Sequence, residues 1–210
     1  MVCTFVPVSG TNVPRGEARR EAILRAALEL IGARGPDAVT HRAVAAAANV
    51  PLSATTYWFA SKEALLQEAF LLAAREEVER VERVVLELAP RELDVAAWAA
   101  AVAGALAADL EANPTRHVAF TELVLEGTRR PWLREEAARW EQAWLGLAEL
   151  GLRATGSPDP VTDARLVVGA ITGLMLGQLV NPQPRFEDDV FRPALERLFT
   201  LLTEQAMMHA

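Results

Sequence analysis

The sequence has one cysteine in 210 residues, one tyrosine and three histidines, and only 6% of it is aromatic. The single Cys3 has no intrachain partner, which excludes a disulfide framework and a multi-thiolate metal site and fits a reducing, cytoplasmic setting. The scarcity of aromatics, with Ala, Leu and Val supplying most of the apolar residues, disfavours an aromatic-rich sandwich and favours close-packed helices. Strand-like alternation, internal repeats and low-complexity tracts are all missing.

Catalytic signatures are missing too. None of His41, His117 and His209 has a Glu three residues before it, as the metal sites of di-iron bundles require. There is no Cys-x-x-Cys, His-Glu-x-x-His, phosphate-cradling glycine loop or nucleophile elbow. The expectation is a protein that is not an enzyme and holds neither metal nor cofactor. The longest apolar run, Leu166 to Val180, is too short to span a bilayer and contains Gln178, so it reads as a buried helix of a chain with no membrane partner. Residues 1–14 lack a basic start and a long apolar core and read as a loose tail rather than a signal peptide.

What is present is a large apolar fraction, 51%, enough for a substantial core. The net charge of −7 argues against nucleic acid as a partner, but it is unevenly spread. Arg15 to Lys62 carries seven Arg/Lys against four Asp/Glu, net +3, which leaves 14 against 24, net −10, elsewhere. A basic head on an acidic body suits a chain whose N-terminal end meets phosphate.

Helical periodicity and turn residues divide the chain into about nine helices. The first runs from about Gly16 to Ala33, with Ile23, Leu24, Ala27, Leu28, Leu30 and Ile31 on an apolar face, and Gly35-Pro36 ends it. Thr40 is placed to cap a short helix His41 to Ala48, and Asn49, a residue that tolerates the left-handed conformation, closes it. A third helix spans about Leu52 to Phe59, and Ser61 caps a fourth from Lys62 to about Leu88. Five more follow at about Glu92 to Ala112, Thr115 to Glu126, Trp132 to Ala154, Val161 to Val180 and Asp188 to Met207, separated by proline- and glycine-bearing breaks.

The few residues between helices two and three match helix-turn-helix spacing, in which the second helix of the pair enters a major groove and the first braces it. Ala45, Ala47 and Ala48 allow close helix contact, and Val44, Val50 and Phe59 suit a small core. Arg42, Ser53, Thr55, Thr56 and Tyr57 remain for outward contacts. Val39-Thr40-His41-Arg42 through Tyr57-Trp58-Phe59 to Ser61-Lys62-Glu63-Ala64-Leu65-Leu66 resembles the DNA-binding domain of the TetR (tetracycline-repressor-like) family, over roughly residues 17–70. Asn49 stands where that family usually has Gly, and Thr56 where many members have a phosphate-binding Tyr.

The resemblance implies an all-α protein with a tail over 1–14, a three-helix DNA-binding domain over 15–62 whose fourth helix continues to about 88 as a connector, and a ligand-binding and dimerisation domain over 63–210. It implies a cytoplasmic homodimer that binds a pseudo-palindromic double-stranded operator and is released by a small-molecule effector. Carried over by position, Thr40 and Lys62 meet phosphate, Arg42 matches a position that in some members reaches a guanine edge, and Tyr57 lies beside the DNA; Ser53, Thr55 and Thr56 join them as outward residues of the same helix pair, and His41 either touches the DNA backbone or does not. The plainer readings are that Arg42 is a solvated charge, Lys62 an ordinary helix-start charge, and Tyr57 a packing aromatic.

In the C-terminal part, Trp98, His117, Phe120, Trp140, Trp144 and Met175 recur on helices expected to surround an internal space, where they line either an effector pocket or the core. Gly169, Gly173 and Gly177 stack on one face of helix eight, which serves either a dimer interface with helix nine or tight packing within one subunit. The competing functional reading is a helical interaction protein that kept this fold and lost DNA binding, which the acidic total charge permits.

Overall fold

The computed structural model describes residues 15–88 and 95–204. The expected tail with Cys3, the expected start of helix five at Glu92 and the expected end of helix nine at Met207 lie outside them. The described residues are all-α: α1 Arg15–Arg34, α2 His41–Ala47, α3 Leu52–Trp58, α4 Lys62–Leu88, α5 Val95–Ala112, α6 Pro114–Glu126, α7 Pro131–Ala154, α8 Pro160–Val180 and α9 Arg192–Glu204.

The chain stops are the ones its turn residues dictate. Gly35, at φ 77°, ends α1, and a single 3₁₀ turn, Pro36–Ala38, leads to α2. The Thr40 hydroxyl caps α2 by accepting from the Ala43 amide at 3.1 Å, and the Ser61 hydroxyl accepts from the Ala64 amide at 3.1 Å at the start of α4. Prolines 114, 131 and 160 each begin a helix, where the missing N–H goes unneeded.

Two apolar cores organise the packing. The first joins Ile23, Leu24, Ala27 and Ile31 of α1 to Val44, Phe59, Leu65, Leu66 and Phe70, and it also takes Ala119 and Leu123 from α6 and Leu133 from α7. The second joins Ala99, Val102, Ala103 and Leu106 of α5 to Trp144 and Leu152 of α7, Val167 and Ile171 of α8, and Phe191, Leu195 and Phe199 toward the C-terminal end. Helix α6 thus adheres to α1, while α7 reaches both cores and lies along α4.

Two expectations are corrected. The last helix runs without a break from Asp188 into α9, but its start, Glu187–Phe191, is π-helical and not α-helical, and the Arg192 N–H donates to the Glu187 carbonyl. Pro193 has no N–H for the carbonyl four residues back and its ring crowds that turn, so the turn widens. Helix α8 is not buried all round. It is 21 residues long and apolar enough by length and composition to cross a membrane, yet only 22% of its apolar 18-residue window is buried, and Val161, Leu166, Leu176 and Val180 are exposed. Its inner face, Ala164, Val167, Val168 and Ile171, packs in the second core, leaving the opposite apolar face without a cover in the single subunit.

Candidate nucleic-acid interface and apolar cavity

Helices α2 and α3 meet through a turn that Asn49 closes at φ 52°, the single non-glycine residue with positive φ among the described residues. The Asn49 N–H donates to the Ala46 carbonyl at 3.2 Å and the Val50 N–H to the Ala45 carbonyl at 3.0 Å, so the reversal satisfies the α2 end with its own backbone. Val44 and Ala45 are buried beneath it.

The outward surface gathers most of the residues expected there. Arg42 on α2 and Ser53, Thr56 and Tyr57 on α3 are exposed, and Thr40 is exposed at the α2 cap. Tyr57 is 80% exposed, which decides against a packing role for its ring as a whole; one edge meets Trp58 at 5.2 Å. Trp58 and Phe59 turn inward to the first core. His41 is half-buried and its Nδ1 is buried without a hydrogen-bond partner.

Thr55 is the exception and a correction. It is fully buried, and its hydroxyl donates to the Leu52 carbonyl at 2.8 Å and faces the His41 carbonyl at 3.4 Å, so it pins α3 to α2 and is not available to DNA. The residue sequence reasoning missed at this surface is Leu52, 46% exposed at the first turn of α3. A large exposed aliphatic group there suits contact with a thymine methyl, and the only signal for it was its place directly after the turn proline.

Charge on this face is selective. Arg20 pairs with Glu68 at 2.7 Å and Arg25 with both Glu21 and Glu76 at 2.7 Å, which spends two cations of the basic head on bracing α1 against α4. Arg42 has no such acidic partner among the described residues. Lys62 is held: its Nζ donates to the Asp37 carbonyl at 3.3 Å and lies 3.8 Å from the Asp37 carboxylate. The ammonium therefore fastens the 3₁₀ turn to the start of α4 while its side chain stays 30% exposed.

A small apolar cavity of about 40 Å³, partly open to solvent, lies between α5, α7, α8 and α9. Of the six residues expected at a pocket, Trp98 and Trp144 line it. The other four are elsewhere. Phe120 stacks on Phe70 at 6.1 Å and tilts against Trp140 at 4.5 Å beside the first core, and Trp140 meets Trp144 edge-on at 6.1 Å. Met175 packs on the second core without reaching the cavity. The remaining wall is Val102, Leu106, Leu147, Ala148, Val167, Val168, Ile171 and Phe199, residue types that no sequence pattern separates from ordinary core. A larger open groove, about 540 Å³, runs where the ends of α5 and α8 meet residues 182–188.

His117, itself buried, belongs to a partly buried ionic cluster at the α4–α5–α6 corner. Its Nε2 lies 2.8 Å from the Asp109 carboxylate, which also accepts from Arg116 at 2.5 Å and has Arg80 at 3.2 Å. Arg80 is in turn paired with Glu77. Burial pushes the Asp109 carboxyl up, but the hydrogen bonds from His117 and Arg116 and the charges of Arg80 and Arg116 outweigh it and hold the group well below the usual carboxylate range. An ionised carboxylate only accepts, so His117 carries its hydrogen on Nε2.

Comparison with known proteins agrees with this architecture. Residues 23–69 match the model of bacterial regulatory proteins of the tetR family, and residues 93–201 that of the tetracyclin repressor-like C-terminal domain. A member of the TetR family from Streptomyces coelicolor A3, SCO1917, is 34% identical over 88% of this chain and 98% of its own, with a TM-score of 0.70. The multidrug binding protein EbrR in complex with ethidium is 32% identical over 89% of this chain and 99% of its own, with a TM-score of 0.65. A transcriptional regulator from Rhodococcus sp. Rha1, at 20% identity and a TM-score of 0.74, shares the fold. No curated protein matches. With a helix-turn-helix at one end, a helical body at the other and both halves matched, the chain belongs to the TetR family of DNA-binding transcription regulators.

Proposed function

We propose that two copies of this chain form a repressor that grips a pseudo-palindromic operator and lets go when a small molecule enters the C-terminal domain. The observation that carries the reading is the outward set Arg42, Ser53, Thr56 and Tyr57 on a helix pair whose inner side is fully committed to packing. Short polar side chains at the first turns of α3 suit base edges, and Arg42 suits a guanine or a phosphate. Thr40 and Lys62 flank the set as phosphate contacts, the second retaining the exposure that this needs.

A dimer is supported by α8. Gly169, Gly173 and Gly177 are exposed, and a Cβ on any of them would meet nothing within 4 Å, so these glycines do not serve packing inside one subunit. They lie on a helix whose exposed side includes Leu166, Leu176 and Val180, an apolar stripe that a symmetry mate would cover.

Effector control is supported by the way the cavity helices are tied to the DNA-binding unit. EbrR binds ethidium within the same fold. In this chain α7 forms one wall of the cavity and lies along α4, which starts at Lys62 beside α3, while α6 grips α1. A cavity of about 40 Å³ is far below the roughly 300 Å³ a drug-sized ligand needs, so an effector must displace α7 or its side chains to enter. Moving α7 moves α4, and a small rotation there changes the separation of two recognition helices that must fit grooves about 34 to 36 Å apart.

Selection from a random DNA library with the purified chain tests the reading. An inverted repeat should emerge, its affinity should fall steeply with salt, and Arg42→Ala should cost about 1 to 3 kcal/mol with relaxed preference at one position of each half-site. Absence of any enriched sequence at low salt, from a folded dimer, would favour the interaction-protein reading instead.

A further inference from the structure

The outward face of α3 is less polar than its letters suggest. Leu52, Ser53, Thr56 and Tyr57 are exposed on it, and Leu52 and Thr56, four residues apart, are neighbours on one side of the helix. The Thr56 hydroxyl donates back to the Leu52 carbonyl at 3.4 Å and to the Ser53 carbonyl at 3.3 Å. A threonine whose oxygen is turned onto the preceding turn of its own helix carries its Cγ2 methyl on the free side.

Side chains on a helix lean over the turn N-terminal to them, so the Thr56 methyl lies toward Leu52. Leu52 is 46% exposed at that turn. A lone exposed leucine is ordinary on a protein surface. This one is half of an apolar patch, and the patch shares its face with the polar Ser53 and Tyr57.

We infer that Leu52 and the Thr56 methyl together read the C5-methyl group of one thymine in each half-site. This rests on the reading of α3 as the helix that enters the major groove. In that groove the C5-methyl is the apolar group that a base pair displays. Guanine presents its N7 and O6 acceptors there and cytosine its N4 amine, and hydrocarbon laid over either removes water without supplying a hydrogen bond. Thymine has the edge that matches the patch, and the preference comes from apolar area removed from water. The same contact favours 5-methylcytosine over cytosine, since those two bases differ by that methyl alone.

The test uses the full chain and the operator enriched by selection. Deoxyuridine replaces its thymines one symmetric pair at a time, which removes a methyl and keeps every hydrogen-bonding group. One pair should stand out with a loss of about 15-fold, about fourfold per half-site for one buried methyl. In Leu52→Ala the exchange at that pair should matter far less. Thr56→Val, which keeps the methyl and removes the hydroxyl, should bind as the parent does. Thr56→Ser, which does the reverse, should weaken. A C·G pair put at that position should gain about fourfold per half-site when its cytosine is methylated at C5.

Operators of equal affinity with thymine or uracil at every position would overturn the inference, as would a deoxyuridine effect undiminished in Leu52→Ala. Weaker binding by Thr56→Val with none by Thr56→Ser would also overturn it, by making Thr56 a hydroxyl contact. An enriched operator indifferent to its methyl groups removes this inference alone, whereas a selection that enriches nothing from a folded dimer removes the DNA reading with it.

Discussion

A Cβ on Gly32 would lie 2.1 Å from the carbonyl oxygen of Thr115, so α1 of the DNA-binding unit and the first turn of α6 meet backbone to backbone. That approach is closer than any side chain allows, and it clamps the recognition unit to the helical body at a point where neither partner can slide freely.

Gly32→Ala measures how stiff this clamp is. Alanine gains about 1 kcal/mol over glycine in helix propensity, but the clash is with backbone, which does not swing aside as a flexible side chain would. We expect a net loss of about 1 to 2 kcal/mol in urea denaturation, with α1 pushed off α6. The same variant should show weaker communication between effector and operator, read as a smaller ratio of operator affinities with and without effector. A variant as stable as the parent would mean that α6 yields easily and that the clamp transmits nothing.

The Asp109 cluster gives a prediction in pH. Its carboxyl is held well below the ordinary value of about 3.9, against the upward push of burial, by His117, Arg116 and Arg80. A depressed folded-state pKa contributes stability that is complete above the unfolded pKa and drains away as pH falls toward the folded one. Asp109→Asn should therefore cost about 2 kcal/mol at pH 7, where it leaves Arg116 without its carboxylate and Arg80 with Glu77 alone. Urea titrations should show the gap between parent and variant narrowing from about pH 4 downward. A gap of constant size from pH 7 to pH 3 would show that Asp109 contributes packing and not charge.

Where the sequence was readable, it was because one residue type left few choices. Prolines 114, 131 and 160 mark helix starts since each lacks the N–H that a helix interior would use. Thr55 was not readable: α3 is seven residues long, too short for an apolar stripe to fix its phase, so four polar residues looked equally outward. Phe120 and Trp98 look alike as letters, and only the packing of α6 on α1 puts one beside the first core and the other on the cavity. The Asp109 cluster spans the Asn113-Pro114 corner, and sequence spacing across a corner carries no helical geometry. The width of the turn before α9 was hidden because Pro193 falls at the second residue of α9, a position that a helix starting at Asp188 would have to kink around.

Asn49 at φ 52° makes the helix-turn-helix corner testable by backbone chemistry alone. A side chain in the left-handed region costs about 1 to 2 kcal/mol except for glycine, and less for asparagine, whose amide bonds locally. Asn49→Ala should lower stability by about 1 kcal/mol and raise the salt-independent part of the operator Kd, while Asn49→Gly should stay within a few tenths of the parent. Equal losses for both variants would point to the Asn49 side chain itself, not the turn, as the group that matters.

The exposed glycine stripe of α8 leads to the prediction on assembly. Gly173 is followed one turn later by Gly177 and preceded one turn earlier by Gly169, with open space where a side chain would go on each. A glutamate at 173 has room in the single subunit, and by replacing glycine in a helix it should raise monomer stability by about 0.5 kcal/mol. In an isologous pair the same substitution places two like charges near the symmetry axis, in a mostly apolar contact. Burying them costs about 3 kcal/mol or more, on the order of a hundredfold in the dimer Kd. Sedimentation of Gly173→Glu should then find folded monomers at micromolar concentration, and these should hold a single half-site weakly. A dimer unchanged by the substitution would place the subunit contact away from α8 and leave its apolar face for another partner.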